Sequence, residues 1–314
     1  MVSRIGRFSG GVRTGPAAGV SHPLSLYPSF SKDLIMWSGG VFNEPAVPVN
    51  PNTTVTATSN TLLFNALQAG SRTITVPTGT FLSGVSMGFS CGNDCEVIIQ
   101  SGAGIQSIGS NSGSRIRFRG PGAIGNMSCG FTSSPTYTDW IFDGIVFDPE
   151  FTGSGWTSSP PGISYGLNRI TRMAVLNSIG LAPFNYGMWI LQGCVDVLFA
   201  NCNFGTPHSS PQVGDYIWRI DENNETTACE RFLFIDVTSQ SLKQPSLRLS
   251  GGDLSYPVIQ NGMMYHCTMA NMYDNVVVVS QSSAPAKTNE WYLRSCVSES
   301  SDSNSPGTAM WAFC

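Results

Sequence analysis

Charge is scarce in this sequence. Lys and Arg number 16 and Asp and Glu 20 among 314 residues, 11% in all, where about a quarter is usual. A helical protein built on Glu, Lys, Leu and Ala is thereby excluded. So is disorder driven by charge, because 41% of the residues are hydrophobic and 11% aromatic. The net charge is −4, and basic residues cluster nowhere beyond the sparse set Arg4, Arg7 and Arg13. No concentrated basic face is available for nucleic acid, and that partner is set aside. Long apolar runs are missing too. Stretches such as Val276–Val279 fall far short of the ~20 residues that span a bilayer, so membrane insertion is not expected. Met1-Val-Ser-Arg-Ile-Gly-Arg7 has no apolar segment behind its charges, which reads as no secretory signal. The chain is expected to be made in a cytoplasm and kept there or built into an assembly.

Chemistry-bearing motifs are equally thin. The nine cysteines are odd in number and scattered, which indicates free thiols, not a disulfide framework. Cys91-Gly-Asn-Asp-Cys95 lacks a second pair at zinc-site spacing, and His22, His208 and His266 lie far apart. Neither a metal nor a cofactor is expected. No Ser-His-Asp arrangement and no phosphate loop stands out, Gly102-Ala-Gly104 being a lone turn.

What the sequence has in quantity is glycine, 34 residues, with abundant Ser, Thr and Asn, a profile of strands and turns. Residues 1–50 differ from the rest in having Gly and Pro throughout and neither a helical nor a strand period. They read as an N-terminal arm, a loose tail or a segment that orders on a partner, with Leu34, Trp37 and Phe42 able to pack. In residues 51–314 a short helix is predicted near 61–69. Leu63, Ala66 and Leu67 fall at i, i+3, i+4, Asn60 offers a cap and Gly70 a stop. A strand follows at Thr73-Ile-Thr-Val-Pro77.

The decisive feature is a repeat. Trp140-Ile-Phe-Asp-Gly, Ala174-Val-Leu-Asn-Ser, Leu198-Phe-Ala-Asn-Cys, Leu233-Phe-Ile-Asp-Val, Met263-Met-Tyr-His-Cys and Tyr292-Leu-Arg-Ser-Cys align on Asp143, Asn177, Asn201, Asp236, His266 and Ser295, in steps of 34, 24, 35, 30 and 29. A weaker match lies at Arg119. A second column runs through Ile190, Ile217, Leu249, Val278 and Met310, in steps of 27, 32, 29 and 32. Two columns sharing a period of ~20–35 residues describe an all-β solenoid, a single-stranded parallel β-helix. Like residues then stack about 4.8 Å apart. Cys202, Cys267 and Cys296 should form a partly interrupted thiol stack, and the Asn/Asp/His anchors a polar ladder at a turn. The helix is placed to cover the open N-terminal end.

Asn65-Ala-Leu-Gln-Ala-Gly-Ser-Arg-Thr-Ile-Thr-Val-Pro-Thr-Gly-Thr-Phe-Leu82 resembles the opening segment of the pectate-lyase-like superfamily as seen in phage tailspikes. There an A-[IL]-Q-A helix leads into a strand ending Val-Pro and a P-x-G-[TV]-[YF] turn. The resemblance implies a right-handed β-helix and a homotrimer projecting from a virion, with residues 1–50 docking on other virion proteins. It implies a receptor-binding protein for host surface polysaccharide. The chain is short for that pattern and stops in a strand-like segment, Met310–Cys314, which raises a capsid decoration protein as the alternative.

For a depolymerase, a second alternative, the densest acidic patch is Asp215, Asp221, Glu222, Glu225 and Glu230, with Asp253 one circuit later. Glycosidases need two carboxyls ~5–10 Å apart, one kept protonated. Asp221, Glu222 and Asp253 are the catalytic candidates, and the same residues serve equally as plain turn surface. Arg219 and Arg231 suit an acidic sugar. Trp156, Trp218 and Tyr256 are candidates for stacking on sugar rings, although Trp189 and Trp218 fall in an apolar column and fit core packing as well. Three insertions, Asp221–Glu230, Gly251–Gln260 and Ser280–Glu290, and a longer excursion, Asp148–Gly162, are the expected binding loops.

Overall fold

The computed structural model describes residues 42–49, 51–85, 90–110, 112–129, 136–148, 151–152, 155–156, 165–181, 188–206, 217–221, 229–241, 247–251, 260–271, 277–281, 291–294, 296–300 and 311–312. Ten strands lie side by side in one sheet, in chain order: Thr53–Thr56, Arg72–Val76, Cys95–Ile99, Ser112–Arg119, Thr136–Asp143, Ile170–Leu176, Val195–Ala200, Glu230–Ile235, Gln260–Tyr265 and Trp291–Arg294. Every neighbouring pair is parallel. The first two members are joined through the helix Asn60–Ala69, and between each later pair the chain visits a second, fifteen-stranded sheet. One circuit therefore advances each sheet by one rung.

The second sheet forks. Gly104–Ser110 pairs with Ala123–Cys129 along its length. Ala123 and Ile124 then pair with Val146 and Phe147, whereas Met127 to Cys129 pair with Tyr165 to Leu167. From that point each circuit lays down two strands on this side. One limb continues through Ile179–Leu181, Asn203–Thr206, Thr238–Ser241, Thr268–Asn271 and Val297–Ser300. The other runs through Trp189–Gln192, Trp218–Asp221, Leu247–Gly251, Val277–Gln281 and Trp311–Ala312. The expected excursion at Asp148–Gly162 opens the fork. It is more than a turn, because Phe151–Thr152 and Gly155–Trp156 pair antiparallel within it.

The core lies between the two sheets. Alternation along the ten-stranded sheet points Phe118, Phe142, Val175, Phe199, Phe234 and Met264 inward, and all are fully buried. Stacked pairs form where phenylalanines share adjacent rungs: Phe118 and Phe142 at 5.2 Å, Phe199 and Phe234 at 5.3 Å. Aromatic residues tolerate this one-on-one stacking because parallel rings offset easily. The helix Asn60–Ala69 covers the N-terminal end of this core with Leu63, Ala66 and Leu67. Its cap is Ser59, whose side chain accepts from the Leu62 N–H. The expected cap, Asn60, is the first helical residue, and its carboxamide accepts instead from the Gly84 N–H at 3.0 Å.

Both repeat columns are present with their phases corrected. In the first, Asn177, Asn201, Asp236 and His266 occupy one rung position with φ of 50–52°, and the amides of Asn177, Asn201 and Asp236 donate to the next circuit's strand. The equivalent residue one circuit earlier is Gly144 (φ 69°), not Asp143. Asp143 closes the preceding strand opposite Arg119 and Leu176. In the second column the aligned residues are Trp189, Trp218, Leu247, Val277 and Trp311. Ile217 and Leu249 stand one residue before that rung and two after it. Runs with apolar residues on both sides fix a period without fixing its phase.

The thiol stack is found as expected. Cys202, Val237, Cys267 and Cys296 follow one another on a single column, so Val237 is the interruption. Cys202 Sγ donates to the Ala200 and Val175 carbonyls at 3.2 and 3.3 Å, and Cys267 repeats the pattern with Tyr265 and Phe234. Burial pushes the Cys202 thiol up to about 12. Among the described residues the cysteines are thiols, none joined in a disulfide.

Candidate functional site

A column of alternating charge runs along the ten-stranded sheet, apart from both repeat columns. Asp94, Arg115, Asp139, Arg172, Asp196 and Arg231 occupy equivalent positions on six successive strands of the ten-stranded sheet. From Arg115 onward the residue is skipped in the pairing, and all six have φ between 55° and 64°. Left-handed backbone at a non-glycine residue costs ~1 kcal/mol or more, so a column of six needs a compensating interaction. The chain supplies it by alternating charge. Arg115 grips Asp94 with two parallel bonds of 2.6 and 2.7 Å. Arg172 does the same to Asp139 at 2.6 and 2.8 Å, and Arg231 to Asp196 at 2.6 and 3.2 Å. Forked pairs of this kind are stronger than single ion contacts.

The carboxylates are the sheltered partners. Asp139 and Asp196 side chains are 4% and 2% exposed, whereas Arg172 remains 34% exposed. The Arg115 guanidinium holds the Asp94 carboxyl below its ordinary range, helped by the Val49 N–H. At Asp139 burial pushes the other way, but the bonds from Arg172 and the Ala46 N–H outweigh it and the carboxyl is again lowered. Arg231 is raised by its bond to Asp196.

Residues 42–49 lie along this column as an extended strap outside both sheets. The Asn43 N–H donates to Asp196 at 3.2 Å, the Ala46 N–H to Asp139 at 2.9 Å and the Val49 N–H to Asp94 at 2.8 Å. Asn43 Nδ2 adds a bond to the other Asp196 oxygen at 3.1 Å. Phe42, 6% exposed, packs with Ile141, Ala174, Leu176, Leu198, Leu233 and Ile235 on the outward face of the ten-stranded sheet. Part of the stretch read as an arm is thus docked on the body. Leu34 and Trp37 lie outside the described residues.

The residues nominated from sequence are placed as follows. Trp218, Arg219 and Asp221 share the strand Trp218–Asp221. Trp218 is fully buried, its ring edge-on to Phe204 and Phe234 at 5.3 and 5.1 Å. It packs the core and presents no ring face to a sugar. Arg219 is half-buried and stands in register with Arg248 on the next strand. Asp221 ends its strand opposite Gln192 and Ser250. Trp156 closes the strand Gly155–Trp156, opposite Phe151. Glu222, Asp253 and Tyr256 lie outside the described residues, as do Asp215 and Glu225. Two other members of the sequence reading are engaged elsewhere. Arg231 bonds Asp196 and Glu230, the latter at 2.7 Å, so neither that arginine nor that glutamate stands ready for a sugar.

Among the described residues no group of three or more His, Cys, Asp or Glu side chains could hold a metal ion. No helix among them is long and apolar enough to cross a membrane. No protein-family model matches the chain, and no curated protein or solved structure matches it either.

Both parts of the strapped column had a sequence signal. Asp and Arg alternate at 94, 115, 139, 172, 196 and 231, and proline recurs at 45, 48 and 51. Neither the apolar residues nor the turn amides carry this alternation, which lies a few residues upstream of the first repeat column.

Proposed function

We propose that the chain is a right-handed, single-stranded parallel β-helix of the pectate-lyase-like kind, acting as a short trimeric tailspike that binds host surface polysaccharide. The observation that carries this reading is where the excursions leave. Residues 222–228, 252–259 and 282–290 each follow a strand of one limb of the forked sheet and precede a strand of the ten-stranded sheet, in three successive circuits. Three segments therefore leave from equivalent points on successive circuits, and repetition along a solenoid suits a polymer of repeating units. Asp221 stands at the start of the first excursion, with Glu222 next in the chain, and Asp253 falls in the second. Arginine recurs in register on neighbouring rungs at Arg219 and Arg248, a residue type that suits an acidic polymer. Residues 1–41 remain as the portion that docks on other virion proteins.

The test is to mix purified protein with acidic and neutral surface polysaccharides and follow polymer length and co-elution by size-exclusion chromatography. Co-elution with acidic polymer, unshortened, is the expected result. Shortening would make the protein a depolymerase, and Asp221→Asn, Glu222→Gln and Asp253→Asn would then be assayed for its loss. Neither co-elution nor cleavage, with binding to capsids instead, would replace this reading with a decoration protein.

A further inference from the structure

Two unrelated spacings coincide in the strapped column. Strands of one sheet lie about 4.8 Å apart, so alternate rungs are separated by about 9.6 Å. A polyproline-II chain rises about 3.1 Å per residue and turns once in three, advancing about 9.3 Å per turn. Because Asp and Arg alternate, carboxylates recur on alternate rungs, at Asp94, Asp139 and Asp196. Because the strap repeats every three residues, its donors recur at Val49, Ala46 and Asn43. Proline occupies positions 45, 48 and 51, so each bonded N–H of Ala46 and Val49 directly follows a residue that has none. A β-strand at ~3.3 Å per residue with side chains alternating every two could not present the same edge to every second rung.

We propose that the Asp94–Asp139–Asp196 column is a binding site for a proline-spaced extended peptide, and that residues 42–49 are its built-in ligand. The arginines are positioning residues, since each fixes a carboxylate so that one oxygen remains directed at the peptide. The recognition is of backbone: three N–H donors at a three-residue interval, with a proline in each interval removing one of its two intervening donors and stiffening the peptide before it binds. The apolar anchor Phe42 sets the register at one end. This inference is independent of the polysaccharide reading, which concerns the other sheet.

Residue-resolved amide hydrogen exchange on the full-length chain gives the first test. Ala46 and Val49 should exchange slowly and Val47 quickly. Uniform protection across the segment, or none, would overturn the proposal. The second test uses the full-length chain carrying Ala46→Pro and Val49→Pro, which removes two donors and leaves the extended shape. A fluorescein-labelled peptide of residues 42–52 should bind it saturably, read by anisotropy. Adding Asp139→Asn should weaken that binding at least tenfold, and replacing all three peptide prolines by alanine at least threefold. Equal binding with and without Asp139, or no saturable binding by the strap-weakened chain, would overturn it. Circular dichroism on each variant checks that the sheets persist.

Discussion

At the scale of single residues, Asp139 carries a heavy polar load. It receives Arg172 and the Ala46 N–H while 4% exposed. Breaking a buried pair costs ~3–5 kcal/mol, and the half-exposed guanidinium reduces that. Asp139→Asn should therefore lose about 2–3 kcal/mol in denaturant titration, scaled from the same range. The pH dependence has a definite sign. Asp94 and Asp139 are lowered in the folded chain, so the unfolded chain binds protons first. Their contribution is complete above about pH 4, near the ordinary carboxyl value, and fades as pH falls through the lowered native values. Stability measured from pH 7 down to 3 should drop below pH 4, and less steeply for Asp139→Asn. The buried thiols give a different expectation. Cys91, Cys129 and Cys202 are pushed up to about 12 by burial, leaving roughly one thiolate in ten thousand at pH 8. Iodoacetamide should leave all three unmodified in the folded chain, and alkylation of Cys202 under those conditions would contradict the fold. Cysteine burial was legible because three of the stacked cysteines share a sequence phase. The paired charges were not, since Asp and Arg in a strand-rich segment read as solvated surface until the register is known.

At the scale of an element, the turn after each strand of the ten-stranded sheet is the recurring unit. Asn177 holds φ at 50°, donates to Asp143 at 2.9 Å and accepts from Asn201 at 2.8 Å. The same position is Gly144 one circuit earlier. Alanine pays for left-handed backbone and glycine does not, so Asn177→Ala should be about 1–2 kcal/mol less stable than Asn177→Gly. Equal losses in thermal melts would mean that the side-chain ladder, not the backbone, decides. The turn type was readable from sequence, because Asn, Asp and Gly recur where left-handed backbone is needed. The helix was readable too, its apolar spacing selecting Leu63, Ala66 and Leu67 correctly. Its cap was not, because Ser59 and Asn60 are both good caps and only the Gly84 contact assigns Asn60 elsewhere. The strap escaped notice for a simpler reason. A segment with no strand or helix period looks unstructured when its period is three.

At the scale of the whole chain, the fold is a stack in which each circuit touches mainly its two neighbours, and damage should stay local. Trp218→Ala removes a fully buried ring and should cost ~3–5 kcal/mol. Hydrogen exchange should rise from Trp189–Gln192 through Leu247–Gly251 while Arg72–Val76 and Cys95–Ile99 keep their protection. A uniform rise would mean that the stack opens as one unit. The parallel architecture and its period were legible at this scale, since two columns repeated together. The fork in the second sheet was not, because Ala123–Cys129 belongs to both limbs at once and no local signal marks a strand that serves two partners. The strap has a last consequence, for force. A pull on the N-terminus does not reach the first strand, Thr53–Thr56, directly. It enters at Asn43, on the seventh strand of the ten, and meets Asp196, Asp139 and Asp94 in turn along the line of tension. Three anchors in that geometry resist by sliding together, whereas rungs pulled from an end would peel singly. A tether attached through residues 1–41 would thus load the middle of the stack and leave its helix-covered end at rest.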